Sequence, residues 1–285
     1  QGNRGDGMAG GGACCLVWFC PVMQSCASRL TFGQFLGLGG IGVGGWIASR
    51  RARCLAPGIM FDHAHASHAI ERVKGRAGAA IGPEGRLSRL WQGGSAKAIL
   101  PRMHGRAAEV VFLNTAGGLT GGDRLEYGLS LAAGARAVGT TQTAERAYLS
   151  RTGAARVDVD LSLGAGATLH WLPQELILFE GAAMDRRLRV EMAEDAAFLM
   201  LETLVLGRAA MGERLCHIDL RDRREVIRGG RPAMVEAIRL TDADLARTGA
   251  AGLNGSVALA TLALFAPDAE DRVARLRAVL PGGGA

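Results

Sequence analysis

Hydrophobic and polar positions alternate strictly along Arg156-Val157-Asp158-Val159-Asp160-Leu161-Ser162-Leu163, and Leu125-Glu126-Tyr127-Gly128-Leu129-Ser130-Leu131 follows the same pattern. A period of two places successive side chains on opposite faces, so both segments predict half-buried strands. Val110-Val111-Phe112-Leu113 is an unbroken apolar run and predicts a buried strand. A near-repeat ties these strands together. Leu129-Ser130-Leu131-Ala132-Ala133-Gly134-Ala135 matches Leu161-Ser162-Leu163-Gly164-Ala165-Gly166-Ala167 at an offset of 32, and a weaker copy, Val190 to Ala196, follows the second by 29. Each copy reads as strand, tight turn, strand. A unit that recurs in this way buries its apolar face only by stacking on its neighbours. The predicted fold class is mainly β: stacked β-hairpins in a solenoid-like β-sheet domain, β from Arg72 onward, with a few short helices near the C-terminus.

Helical signals gather late. Asp242-Ala243-Asp244-Leu245 has the form of a helix start, Ser256 to Phe265 is an apolar, alanine-rich run grouped with the helical sequence, and Ala269 to Leu280 is amphipathic until Pro281 stops it. Residues 1–59 differ in kind: they contain no Lys and no Glu, and Leu36 to Ile47 is glycine-interrupted apolar sequence. Leu30 to Ala48 reads as a membrane span only against seven glycines between Gly33 and Gly45, and no signal-peptide cleavage pattern follows. The expectation is an unstructured or non-native extension over 1–59, with Met60 as the natural start. A β domain then covers 60–285, truncated at its C-terminal end, and no membrane association is expected.

A hydrophobic content of 48% is ample for a core, and 42 glycines beside 5% aromatics point to small-residue packing and many turns. Of the net charge of +6, residues 1–59 hold +4 and the remainder +2, which argues against nucleic-acid binding. Five of six cysteines lie at or before Cys54, leaving Cys216 alone in the body, as in a reduced, cytoplasmic protein.

The most constrained stretch is Asn114-Thr115-Ala116-Gly117-Gly118-Leu119-Thr120-Gly121-Gly122-Asp123. A phosphate loop ends in Gly-Lys-Ser/Thr, whereas here Gly122-Asp123-Arg124 sets a carboxylate where it repels phosphate. A dinucleotide fingerprint opens a helix, whereas a strand pattern follows here. The stretch reads as a rigid, polar-tipped structural loop built on Gly117, Gly118, Gly121 and Gly122. There is no Gly-x-Ser-x-Gly elbow and no His-Glu-x-x-His helix; His104, His170 and His217 are singles, and Cys216 and His217 as strand neighbours point to opposite faces. His63, His65 and His68 are weak candidates for Ni²⁺ or Zn²⁺, with no fourth ligand nearby. What remains is carboxylate and hydroxyl chemistry: Asp123, Glu145, Glu175, Glu202 and Glu213, beside Arg146 and Arg208. The repeat sets Gln142 and Gln174 at one position and Glu202 one residue earlier. Copies stacked in register would therefore gather oxygen-bearing side chains at one rim; the bland alternative is three solvated strand ends.

NTAGGLTGGD (114–123), TTQTAERAYLS (140–150), WLPQELILFEGA (171–182) and ETLVLGRAAMGE (202–213) resemble the blocks of the urease accessory protein UreD (UreH) family, and Gln92-Gly93-Gly94-Ser95-Ala96-Lys97 resembles its N-terminal block. The similarity covers roughly Gly75 to Leu240. It implies a solenoid-like β fold and a non-enzymatic, cytoplasmic role in nickel insertion into apo-urease, with no cofactor of its own and nickel only in transit. It implies partners as well: the urease apoprotein, the helical protein UreF and, through UreF, the GTPase UreG. On matching positions Asp123, Thr140, Thr141, Gln142, Glu175, Glu202 and Glu213 would line or shape the nickel path, with Arg208 paired to a carboxylate in support. Scattered oxygens suit a conduit, because thiolate or clustered imidazole would trap the ion. Two other readings stand beside this one: a glycine-loop enzyme of unassigned type, and a nickel-binding metallochaperone using His63, His65 and His68.

Overall fold

The computed structural model describes residues 13–20, 72–102, 107–247, 249 and 252–279. His63, His65, His68 and His104 lie outside them. The strands in chain order are β1 (Ala13–Cys20), β2 (Lys74–Ile81), β3 (Leu87–Gly94), β4 (Ala96–Ile99), β5 (Ala108–Asn114), β6 (Arg124–Leu131), β7 (Arg136–Thr141) and β8 (Glu145–Ala147). They continue as β9 (Ala155–Leu163), β10 (Thr168–Trp171), β11 (Leu176–Leu178), β12 (Ala182–Met192), β13 (Ala197–Leu206), β14 (Ile218–Arg228), β15 (Arg231–Thr241) and β16 (Ala258–Phe265). Two short helices, α1 (Asp242–Ala246) and α2 (Val273–Val279), fall where the start signal and the amphipathic run predict them. Thr241 and Asp244 form a reciprocal capping box at the start of α1.

The strands make two sheets. One runs β15-β14-β12-β9-β6-β2-β3, and the other β1-β16-β13-β10-β7-β5-β4, with β11 joining β13 to β8. Pairing is parallel through the middle of each and antiparallel at the ends. The sequence repeat is the register itself. Arg124 faces Arg156 and Arg136 faces Thr168, an offset of 32, while Ala155 faces Met184 and Thr168 faces Ala197, an offset of 29.

The repeats stack as predicted, but their two strands are not hairpins. β6 hydrogen-bonds β2 and β9 in one sheet, and the β7 that follows it joins the other sheet. The physical reason lies at the corners. Gly134 (φ +70) and Gly166 (φ +62) turn the chain from sheet to sheet. Each corner closes its own turn (Ala135 N to Ala132 O, Ala167 N to Gly164 O, Ala196 N to Ala193 O) and also bonds along the stack: Ala132 N to Ile81 O (2.9 Å), Gly164 N to Leu131 O (2.9 Å) and Ala193 N to Leu163 O (3.0 Å).

Parallel sheets are usually covered on both faces. Here the outer face of the first sheet carries Arg124, Glu126, Arg156, Asp158, Asp160 and Arg187 in a ladder of ion pairs, which is why its strands read as strict alternation. The inner faces meet in an apolar core that includes Phe112, Leu125, Leu129, Trp171, Phe198 and Phe265.

Two further expectations are corrected. Ala258–Phe265, in the alanine-rich run grouped with the helices, is a strand paired antiparallel to β13, with alternate positions buried. Strand pairing along β13 overrides the helical preference of alanine. And Ala13–Cys20, inside the stretch expected to lack packed structure, adds an antiparallel strand beside β16.

Candidate functional site

A cavity of about 90 Å³ lies between the sheets. Its outer end is formed by exposed Gly117, Thr143 and Gln174; its inner end reaches buried Trp171 and Glu202. Polar lining comes from Asn114, Tyr127, Thr141, Glu145, Gln174 and Glu202 together with Arg146, Arg186 and Arg187, on a floor of Phe112, Val157, Val159, Leu176 and Leu188. The strands set these positions: β7 and β10 stop at Thr141 and Trp171, so the mouth opens where they end. β13 continues to Leu206 and carries Glu202 inside, so Glu202 is not a rim residue.

Glu202 is the hub of a buried ionic network. Its Oε1 accepts from the Trp171 indole (3.1 Å), and its Oε2 accepts from Arg186 Nη2 (3.0 Å) and Arg224 Nε (2.7 Å). Arg186 also makes a bidentate pair with Asp222 (2.9 and 2.6 Å), and Arg224 donates to Asp222 (2.7 Å) and Glu236 (2.6 Å). Two guanidiniums thus face three carboxylates. Burial acts to raise the Glu202 carboxyl, but Arg186 and Arg224 outweigh it and hold the group below its usual range.

Glu145 behaves oppositely. Burial pushes it up, only partly opposed by hydrogen bonds from Asn114 Nδ2 (3.3 Å) and the Arg146 amide (3.2 Å) and by the Arg146 charge. Burial, and then the neighbouring Glu145, likewise raise the Tyr127 phenol.

The predicted residues separate on the structure. Thr141 and Glu202 line the cavity; Asp123, Thr140, Gln142, Glu175 and Glu213 do not. Asp123 is a brace: Oδ1 accepts from Val73 N and Oδ2 from Thr120 N, both at 2.8 Å, and its carbonyl takes the Arg156 amide. Thr140 Oγ1 donates to Leu172 O (2.7 Å), and Thr141 Oγ1 accepts from Gln174 N (2.9 Å), tying the mouth together. Gln142 is exposed and Glu175 half-buried. Arg208 pairs with Glu213 through Nε (2.8 Å) and Nη2 (3.1 Å) and lies 4.5 Å over the Phe179 ring, an exposed clasp outside the cavity.

The glycine loop is packing, not a cradle. A Cβ on Gly118 would stand 2.2 Å from Tyr148, and one on Gly121 2.5 Å from the Thr152 carbonyl. The amides of Thr115, Ala116, Gly117, Leu119, Thr120 and Gly122 are spent on the protein itself, so a phosphate would find few donors. Cys216, expected as a lone thiol, is disulfide-bonded. His217 Nδ1 meets Glu180 Oε1 at 2.7 Å on the surface.

Sequence reasoning missed Arg186, Asp222, Arg224 and Glu236. The signal was present: within β14, Asp222 and Arg224 share the alternate positions of Ile218, Leu220 and Val226, and in β12 Arg186 shares those of Met184 and Leu188. A charge on the apolar phase of a strand is a buried charge.

Among the described residues, no three His, Cys, Asp or Glu side chains converge to hold a metal ion, and no helix is long and apolar enough to cross a membrane. Residues 72–285 match the family model described as UreD urease accessory protein. A protein from Jannaschia sp. (strain CCS1), "Urease accessory protein UreD", is 61% identical over 222 residues, covering 78% of this chain and 82% of the relative. The protein of that name from Cereibacter sphaeroides (strain ATCC 17025 / ATH 2.4.3) is 53% identical over 77% and 78% of the two chains. That from Paracoccus denitrificans (strain Pd 1222) is 47% identical over 80% and 81%. With its fold, its four ordered motifs and these relatives in agreement, the chain belongs to the UreD urease accessory protein family.

Proposed function

We propose that this chain is a non-catalytic assembly protein in urease maturation, and that a nickel ion passes through its interlayer cavity on the way to apo-urease, with UreF and UreG as the partners that load it. The relatives' shared name supports the maturation role. The observation that carries the passage is the donor set: oxygen-bearing Thr141, Tyr127, Asn114, Gln174, Glu145 and Glu202 line the cavity beside Arg146, Arg186 and Arg187, with no imidazole or thiol among its lining residues. Oxygen donors hold a borderline cation loosely enough to let it leave. Glu145 is held above the usual carboxylate range by burial, only partly opposed by Asn114 and Arg146, so it gives up its proton less readily than an exposed glutamate and is the weaker anionic trap. At Glu202 it competes with two guanidiniums, which keeps its stay short.

The test uses cells producing urease, this chain and its partners. Urease is purified and its nickel content measured with the wild-type chain, with Glu145→Gln and with Thr141→Val. The expected result is unchanged co-purification with apo-urease and a several-fold fall in nickel per subunit. Wild-type loading in both variants removes the passage through this cavity and leaves the maturation role to be judged by whether urease activation needs the chain at all.

A further inference from the structure

The charge of the family-matched body is strongly uneven. Residues 72–102 hold seven Lys or Arg and one carboxylate, Glu84, for a local +6; residues 103–285 hold 21 against 23, for −2. The basic stretch is the end of the stack, where β3 closes one sheet and β4 the other. Every residue of β3 is exposed except Trp91, which is half-buried. Among the described residues β3 pairs only with β2, so every second amide and carbonyl of its eight residues points away from the sheet. Leu87, Leu90 and, on β4, Ile99 are 44%, 42% and 50% exposed.

This edge is also a built surface. Trp91 lies over a floor without Cβ atoms: one added at Gly78 would come within 2.1 Å of its ring, and one at Gly128 within 3.1 Å. Arg89 stands 5.7 Å from the Trp91 ring centre, and Arg76, Arg89, Trp91, Gln92 and Gly93 line a shallow concavity. The opposite edge differs in one respect: β15 carries Pro232, which cannot donate to an added strand, whereas a register slip occurs at both edges, between Val226 and Ile227 there and between Ala80 and Ile81 beside β3. β3 has no proline. Its same-sign charge repels a second copy of itself while attracting an acidic chain.

We propose that the outer edge of β3 is a docking site for an extended acidic segment of a partner protein, which adds to the sheet as a further strand. The partner's backbone takes the open amides and carbonyls, its carboxylates meet Arg86 and Arg89, and its apolar side chains cover Leu87, Leu90 or Trp91. This holds whether or not the cavity conducts an ion.

The probe is an end-capped, fluorescent eight-residue peptide of alternating Glu and Val, the length of β3. Titrated with the full chain and read by anisotropy, it binds saturably and more weakly as salt rises. The Arg86→Glu/Arg89→Glu variant, changed at exposed side chains and checked by its melting curve, binds about tenfold more weakly. Arg239→Glu at the other edge leaves binding unchanged. On the wild-type chain, N-methylation of alternate amides along one edge of the peptide abolishes binding, and a Lys-Val peptide or an RNA octamer binds far more weakly. Absence of saturable binding, an N-methylated peptide bound as tightly as the parent, or RNA bound equally well would each overturn the proposal.

Discussion

Removing Arg224 should unfold this protein more readily than removing any carboxylate it touches. The side chain is 1% exposed and donates three charged hydrogen bonds, at 2.7, 2.6 and 2.7 Å, to Glu202, Glu236 and Asp222. Arg224→Met keeps most of the volume but leaves Arg186 facing three carboxylates. Breaking a buried ionic set by deleting one partner costs about 3–5 kcal/mol, because the remaining charges stay desolvated and unpaired. For a domain of this size that corresponds to a melting point lowered by about 6–20 °C. Glu202→Gln should cost less, since it leaves two guanidiniums against two carboxylates and still offers Trp171 an acceptor.

Urea unfolding of both variants, followed by far-UV circular dichroism and tryptophan fluorescence, measures the difference. The acid limb gives a second reading. The carboxyl of Glu202 is depressed in the fold, with burial opposing and Arg186 and Arg224 prevailing. Its contribution is therefore present above the unfolded carboxyl value of about 4.3 and lost as pH falls through the lower folded value. The wild-type advantage over Glu202→Gln should shrink below about pH 4. An Arg224→Met loss under about 1 kcal/mol, the range of surface pairs, would refute the reasoning, as would a larger loss in Glu202→Gln.

Asp123→Ala strands the half-buried amides of Val73 and Thr120 and should cost about 1–3 kcal/mol, with both amides losing protection from hydrogen exchange; Asp123→Asn should cost less. Gly118→Ala sets a Cβ against Tyr148 and the Arg146 carbonyl and should lower the melting temperature well below that of Gly117→Ala. The latter meets open space and pays only about 1 kcal/mol for its positive φ. The hydrogen bond and charge of Glu180 raise His217 above its ordinary value. An NMR titration should show His217 protonated to higher pH than a free histidine and returning to normal in Glu180→Gln. The linked stabilisation is present below the unfolded value and fades as pH rises through the folded one.

How much of this was legible beforehand depends on the distance between the residues that decide it. The alternation of Arg156–Leu163 predicts β9, and the 32- and 29-residue offsets are the register of both sheets, because stacked coils copy local pattern into neighbouring strands. The turn chemistry of α1 and the stop after α2 were equally local. Hairpins and coils share that local pattern, and only long-range pairing, which sends β6 and β7 to different sheets and ties each to the neighbouring copy, distinguishes them. The Ser256–Phe265 run failed for a related reason: alanine and leucine fit a helix until an open strand edge on β13 claims them.

The site shows the same division. Donor types and their repeat positions are readable, so Thr141 and Glu202 stand among the sequence candidates, and both line the cavity. The carboxylate of Asp123 marks it in the sequence as a candidate, but two backbone amides, one of them 50 residues away, make it a brace. Alternation alone marked Arg186, Asp222 and Arg224 as inward-facing. That they neutralise one another, and Glu202 with them, required three strands from two sheets to meet. The sequence by itself determined which face of each strand is apolar and how far apart the coils repeat, since both follow from nearest-neighbour stereochemistry. The tertiary structure alone decided which charges are buried together and where space is left between the sheets, because burial and pairing belong to groups that sequence order keeps apart.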